Sequence, residues 1–375
     1  MTRGAARAGD AGRGSATPRG DNVFLSACRR LPVPHAPVWF MRQAGRYMPE
    51  YRAIKERATF LEMCRTPDLA VEVTLQPVRA LGVDAAILFS DILVPLPGMG
   101  IDIEFAPGPL LADPVRSRAQ VEALRVPEPE ESVPFVLESL RRLRVELPPE
   151  VALVGFCGAP WTLANYAVEG GGKHEFTRLK RFLYEDPAAA QLLIDKLADT
   201  NARYLAAQIA AGAQAVQIFD TWAGILDPDD YVRWALPATQ RMVREVRLGA
   251  RREAAAAGGG VSPPVIIYFA RDSGGLLPHL RDTGADVISL DWRVPLDRAR
   301  TVLGPEVAVQ GNLDPVALFA PWPELARRAD LVLARAGGAR GHIFNLGHGI
   351  LPETPVQNVQ RLVEHVHARS AAAPR

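Results

Sequence analysis

Eight short apolar runs, rich in Val, Ile, Leu and Phe, recur along the chain and alternate with segments of helical period. They fall at 38–41, 85–89, 151–156, 215–219, 265–269, 286–290, 307–309 and 342–344. A strand that is apolar at every position is buried on both faces, as in a parallel sheet covered by helices. The stretches 68–81, 134–147, 188–211, 229–248 and 323–336 carry the helical pattern between them. Pro77 is expected to kink or interrupt the first of these. The last helix is expected to open at Thr354-Pro355-Val356-Gln357, as N-cap, proline at the first helical position and capping-box glutamine. Eight such strands predict an α/β fold closed into a single (β/α)8 TIM barrel. A doubly wound open sheet is the competing architecture, because periodicity does not distinguish closure from opening. Two insertions interrupt the alternation. Residues 94–112 read as a small hairpin insertion after the second strand, and 254–263 as an Ala/Gly linker before the fifth.

Charge and composition narrow the function classes. The net charge of +1 argues against a general nucleic-acid binder, which needs a basic face. Any affinity for anions must come from local placement of arginines. No apolar stretch reaches the roughly 20 residues that span a bilayer. Cys28, Cys64 and Cys157 are too few and too scattered for a disulfide framework, which points to a reducing, cytoplasmic setting. Residues 1–20 are rich in Arg, Gly and Ala without an apolar core, and are expected to be a disordered tail. Residues 21–370 then form the barrel domain.

In a barrel of this kind the site lies where strands hand over to the following loops. The run 38–41 ends at Arg42, with Gly45 and Arg46 following. Two guanidiniums from the end of a buried strand make a receptor for carboxylates or phosphates. If 42–46 is helical, both lie on one face; the bland alternative is a pair of surface salt bridges. The second strand gives Ser90 and Asp91, the third runs into 155–162 and then Tyr166, and the fourth gives Asp220 and Thr221. The later strands give Arg271 and Asp272, then Asp291, then Asn312 and Asp314, and last Asn345 and His348 between two glycines.

Asp91 is the sharpest of these, because a carboxylate amid apolar neighbours needs donors to stay ionised. Its alternatives are a helix cap or an ion pair. His348 either faces a ligand or bonds to backbone, and Tyr166 either donates into a pocket or packs on the rim.

Several motifs fail. Gly170–His174 lacks the upstream glycine and the hydroxyl residue of a P-loop. The cysteine spacing offers no zinc-thiolate site, and no Gly-x-Ser-x-Gly elbow is present. His365 and His367 stand two apart on the final helix and do not share a face.

The segments 41–50, 89–93, 155–163 and 344–349 resemble the uroporphyrinogen decarboxylase family, in the right order and over about 22–365. The resemblance implies a homodimeric (β/α)8 barrel without cofactor or metal. It implies removal of carbon dioxide from the four acetate side chains of uroporphyrinogen III, giving coproporphyrinogen III in haem biosynthesis. Carried over by position, Asp91 and Arg42 are the catalytic pair. Arg42, Gln43, Ala44, Gly45, Arg46, Asp91, Tyr166, Thr221 and His348 form the substrate-binding set. Asp91 is expected to accept hydrogen bonds from pyrrole N–H groups. Lys55 and Thr221 stand where some members have Arg and Ser, and Cys157 stands where a smaller residue occurs elsewhere. The alternatives are a cobalamin-dependent methyltransferase of the same superfamily, or a non-catalytic tetrapyrrole carrier.

Overall fold

The computed structural model describes residues 22–105, 108–171, 176–256 and 263–371. The expected tail at 1–20 lies outside them, as do Gly172, Lys173, His174 and most of the linker at 254–263.

Seven parallel strands form one curled sheet in sequence order: Ala85–Ile87, Ala152–Gly158, Ala215–Asp220, Val265–Ala270, Val287–Leu290, Ala308–Gln310 and His342–Ile343. The expected first strand at 38–41 is reduced to a single parallel bridge, Val38 to Phe344. That bridge still closes the ring. Phe344 N–H donates to Pro37 O at 2.8 Å, and Asp84 N–H donates to Val38 O at 2.8 Å. The stave is short because the chain turns at once. Gln43 N–H donates to Phe40 O, the Gln43 side chain accepts from Phe40 N–H, and Arg42 sits at φ +61°.

Alternate strand residues face inward. Trp39, Ala85, Ala152, Val154, Val265, Ile267, Val287 and Ile343 form a buried inner cluster, joined by Phe24 and Leu25 from helix Val23–Cys28. A polar layer crosses the interior: Trp39 Nε1 donates to Gln310 Oε1, and Gln310 Nε2 donates to Gln217 Oε1 and Ser289 Oγ. Helices cover the outer face, the longest being Pro187–Ala210.

Two helical expectations change. Pro67–Leu81 runs unbroken through Pro77, which is buried. The segment expected as one helix over 229–248 divides into Pro228–Asp230, a wide π-type turn at Tyr231–Ala235, and Leu236–Ala256. The last helix begins at Val356 with Pro355 as its N-cap, and the buried Thr354 hydroxyl makes no hydrogen bond. The ladder there starts from the Pro355 carbonyl, which accepts from Asn358 N–H, so the capping box does not form. Within 94–112, Ile103–Phe105 and Pro109–Leu111 pair antiparallel.

Candidate active site

The upper interior layer is apolar and aromatic. Met41, Phe156, Phe219 and Phe269 form a cluster of their own, with Ile87 and Ile92 against it. Phe219 stands edge-on to both Phe156 and Phe269, with centroids 5.5 and 5.9 Å apart. Above this floor the polar residues converge. The His348 ring lies 6.3 Å from Phe269. Tyr166, on helix Pro160–Glu169, lies 6.3 Å from the Trp222 ring, and the Arg271 guanidinium lies 5.9 Å over that ring.

Asp91 follows the strand Ala85–Ile87 and is held by one backbone donor, Leu93 N–H to Oδ1 at 2.9 Å. Its pKa is raised. Burial is the main cause, and the Leu93 hydrogen bond and the charge of Arg42 oppose it without prevailing. One local N–H satisfies only part of a carboxylate, which has about four acceptor positions. His348 is pushed the other way, down to about 4, first by burial and then by the positive charges of Arg42 and Arg271. It is therefore neutral near pH 7. Burial and the charge of Asp91 raise the Tyr166 phenol, so it stays a donor.

Arg42 and Arg46 make no ion pair among the described residues, which removes the surface salt-bridge alternative. Nor do they share a helical face. Residues 42–48 form turns, closed by Met48 N–H to Gly45 O at 2.9 Å. Arg42 is instead aimed by its left-handed φ and by Gly349. A Cβ at position 349 would lie 2.5 Å from Arg42 Cδ. Strain of this kind costs about 1–3 kcal/mol and clusters at functional sites.

Not every expected residue presents its side chain to this space. Gln43 is fully buried in the wall, donating to Ala85 O and accepting from Phe40 N–H. It shapes the turn, and its carbonyl accepts from the Tyr47 hydroxyl. Ala44 and Gly45 are partly exposed at the turn, Arg46 and Lys55 are exposed, and Thr221 is partly buried at the end of its strand.

Arg271 is the residue that sequence reasoning named at a strand end and did not carry into the site. Its Nε lies 3.3 Å from Asp272 Oδ2 without hydrogen-bond geometry. With His348, Gly349, Trp292, Asp314 and Val316 it lines a cleft of about 160 Å³. The signal was its position directly after the apolar run 265–269. Asp220 is a second such residue, and it faces the helices. Its oxygens accept from the Thr162 hydroxyl at 2.6 Å and the Tyr268 hydroxyl at 2.7 Å, and burial raises it to about 6. Thr162 Oγ1 also accepts from Trp222 N–H at 3.1 Å, so this buried acid positions the loop that carries Thr221 and Trp222.

Residues 20–369 match the family described as Uroporphyrinogen decarboxylase (URO-D). The uroporphyrinogen decarboxylase of Carboxydothermus hydrogenoformans is 52% identical over 353 residues, covering 94% of this chain and 97% of that one. The enzyme of the same name from Chloroflexus aurantiacus is 54% identical over 347 residues, covering 92% of this chain and 95% of its own. Among solved structures, a methyltransferase from Methanosarcina mazei superposes with a TM-score of 0.75 at 20% identity. It covers 91% of this chain and 96% of its own, which shows a shared fold. With the motif segments in order around the barrel mouth and these relatives matching nearly end to end, the chain belongs to the uroporphyrinogen decarboxylase family.

Proposed function

We propose that this barrel mouth removes carbon dioxide from the four acetate side chains of uroporphyrinogen III, giving coproporphyrinogen III. Family membership supports the reaction class, a carboxy-lyase of tetrapyrrole biosynthesis. The observation that carries the reading is Asp91: a partly buried carboxylate with a raised pKa and a single hydrogen-bond donor among the described residues, beside an arginine that makes no ion pair among them.

The reduced macrocycle brings four pyrrole N–H donors and eight carboxylates. The N–H groups take the Asp91 acceptor positions that no described protein donor fills, and so favour its ionised form. Arg42, Arg46 and Arg271 receive the peripheral carboxylates, each charge-assisted contact being worth roughly 1.5–3 kcal/mol. Neutral His348, the Tyr166 hydroxyl and the Thr221 hydroxyl add uncharged hydrogen bonds.

Protonation of the pyrrole ring carbon beside an acetate creates a cationic ring that accepts the electron pair of the breaking C–C bond. Carbon dioxide leaves, the exocyclic carbon takes a proton to become methyl, and the ring proton is returned. Ionised Asp91 stabilises the cation by preorganised charge. Arg42 organises the proton delivered to the ring. A guanidinium is a very weak acid, so its part is to place the acid group or the water that donates.

The methyltransferase alternative needs a zinc-thiolate site. Cys64 and Cys157 are buried, and burial raises both thiols, which disfavours thiolate ligands. The decisive assay incubates the purified chain anaerobically with uroporphyrinogen and a chelator, then identifies the porphyrins after oxidation. Four-carboxyl product supports the reading. Tight binding without any loss of carboxyl groups makes the protein a carrier and overturns it.

The same reading includes a homodimer in the cytoplasm. Val316, Phe319 and Leu351 are exposed, and Val316 and Leu351 border the site cleft, an apolar rim suited to a second copy. Among the described residues no helix is long and apolar enough to cross a membrane. Sedimentation of the purified chain at micromolar concentration tests the dimer, and a monomer there refutes it.

A further inference from the structure

At the barrel end opposite the site, two imidazoles and a carboxylate meet. His35 precedes the bridge at Val38, Asp84 precedes the strand Ala85–Ile87, and His367 lies in the last turn of Val356–Ser370. One ligand atom from each lies within 4.8 Å of the other two. His367 Nε2 is 2.8 Å from Asp84 Oδ2, and the two histidine rings are 4.3 Å apart between centroids.

The surroundings hold these groups in place. Asp84 Oδ2 accepts from Val38 N–H at 2.6 Å, which orients the carboxylate. The Ala36 carbonyl is 3.3 Å from His35 Nδ1, where it can accept from the ring and set its tautomer. Ala36 N–H donates to the Ser370 hydroxyl at 2.9 Å, tying the same two segments together. Among the described residues no lysine or arginine pairs with Asp84, so no fixed cation occupies the position.

We propose that His35, Asp84 and His367 bind a divalent transition-metal cation of the zinc type. Two imidazole nitrogens and one carboxylate oxygen are a borderline donor set that suits Zn2+. Ligand atoms about 2.0–2.1 Å from a tetrahedral ion stand about 3.3 Å from one another. Small rotations of three half-buried side chains bring the present spacing to that value. Water takes the fourth position. On binding, the ion takes the place of the proton between His367 and Asp84, and the imidazole stays neutral with its remaining proton on Nδ1, any excess proton passing to water.

The site is structural. It lies at the N-terminal ends of the strands, the face of such barrels that serves stability. Its ligands come from the two chain-terminal segments and from the stave between them. They straddle the seam that only a single bridge closes. The ion acts as a strap across that seam, and the chemistry at the other end does not depend on it.

Metal-stripped protein is titrated with Zn2+, and in parallel with Co2+, whose visible d–d absorption reports tetrahedral ligation. The expected result is one equivalent bound, an intense tetrahedral cobalt spectrum and a higher melting temperature with Zn2+. His367→Gln and His35→Gln each abolish all three signals. His365→Gln keeps them, because His365 bonds Asp330 instead. His35 lies outside any helix, so its variant tests the site even where His367→Gln loosens the last helix. A weak cobalt spectrum like that of the aqueous ion overturns the proposal. So does metal binding that survives in both variants, or a melting temperature indifferent to Zn2+.

Discussion

Asp91 and Arg42 each depart from the ordinary state of their kind, the carboxyl by a raised pKa with one protein donor and the arginine by a left-handed backbone. Replacing Asp91 by Asn keeps the size and removes the charge. Turnover is expected to fall about 100-fold or more, well beyond any rise in KM, because the lost interaction is made with a charge that develops in the transition state. Steady-state kinetics on uroporphyrinogen check this, and an unchanged kcat refutes the role. Gly349→Ala tests Arg42 without touching it. Position 349 has no left-handed φ, so alanine suits the backbone, and its Cβ would lie 2.5 Å from Arg42 Cδ. The guanidinium must move. The expected outcome is a 10- to 100-fold loss in kcat/KM, on the order of 1–3 kcal/mol, with a melting temperature close to that of the parent.

Strand ends are where the elements become a site, and the loop after Ala215–Asp220 shows how one is aimed. Thr162, on a neighbouring helix, donates to Asp220 and accepts from Trp222 N–H, so one hydroxyl ties strand, helix and loop together. Thr162→Val removes both bonds and keeps the shape. The expected cost is about 1–3 kcal/mol of stability from the unsatisfied buried groups. A rise in KM should accompany it as Thr221 and Trp222 lose their anchor. Denaturant titration and kinetics together check this, and a stability loss with KM unmoved confines Thr162 to the scaffold. The order of these elements was legible in the sequence from the apolar runs. The π-type turn at Tyr231–Ala235 was not. It lets the Tyr231 hydroxyl bond Tyr268 across 3.1 Å, a pairing between residues 37 apart that local periodicity does not register.

Acid stability is a property of the whole fold. His342 is fully buried, its Nε2 is 2.9 Å from Gly311 O, and burial lowers it to about 4; His348 is lowered to the same value. The unfolded chain therefore takes up these protons first as pH falls. Their contribution is complete above about 6.5 and is lost progressively toward 4. Asp220, raised to about 6, works in the opposite direction: its contribution is full below 3.8 and is lost as pH rises through 6. Asp91, also raised by burial, acts in the same direction as Asp220, so the expectation is read on one group at a time: replacing His342 removes its share of the stability lost between pH 6.5 and 4. Urea unfolding across that range checks it. A dependence in His342→Gln identical to that of the parent contradicts it, and a weaker acid loss in the variant is the expected signature of that residue.

The alternation of apolar runs with helical segments, read from the chain alone, was enough to fix a parallel sheet wrapped by helices. The residues following the runs marked Arg42, Asp91, Tyr166 and His348 as neighbours at one end. Burial against both faces dictates such runs, and strand direction dictates which residues come next, so both are local properties of the sequence. Tertiary structure alone decided the rest. Gln43 turns into the wall because Ala85 O and Phe40 N–H lie within its reach. Residues 38–41 shrink to a bridge because a turn begins at Phe40. His35, Asp84 and His367 meet only because the ring closes. Each of these depends on which distant segment supplies the nearest partner, and a sequence carries no measure of distance until the sheet has curled on itself.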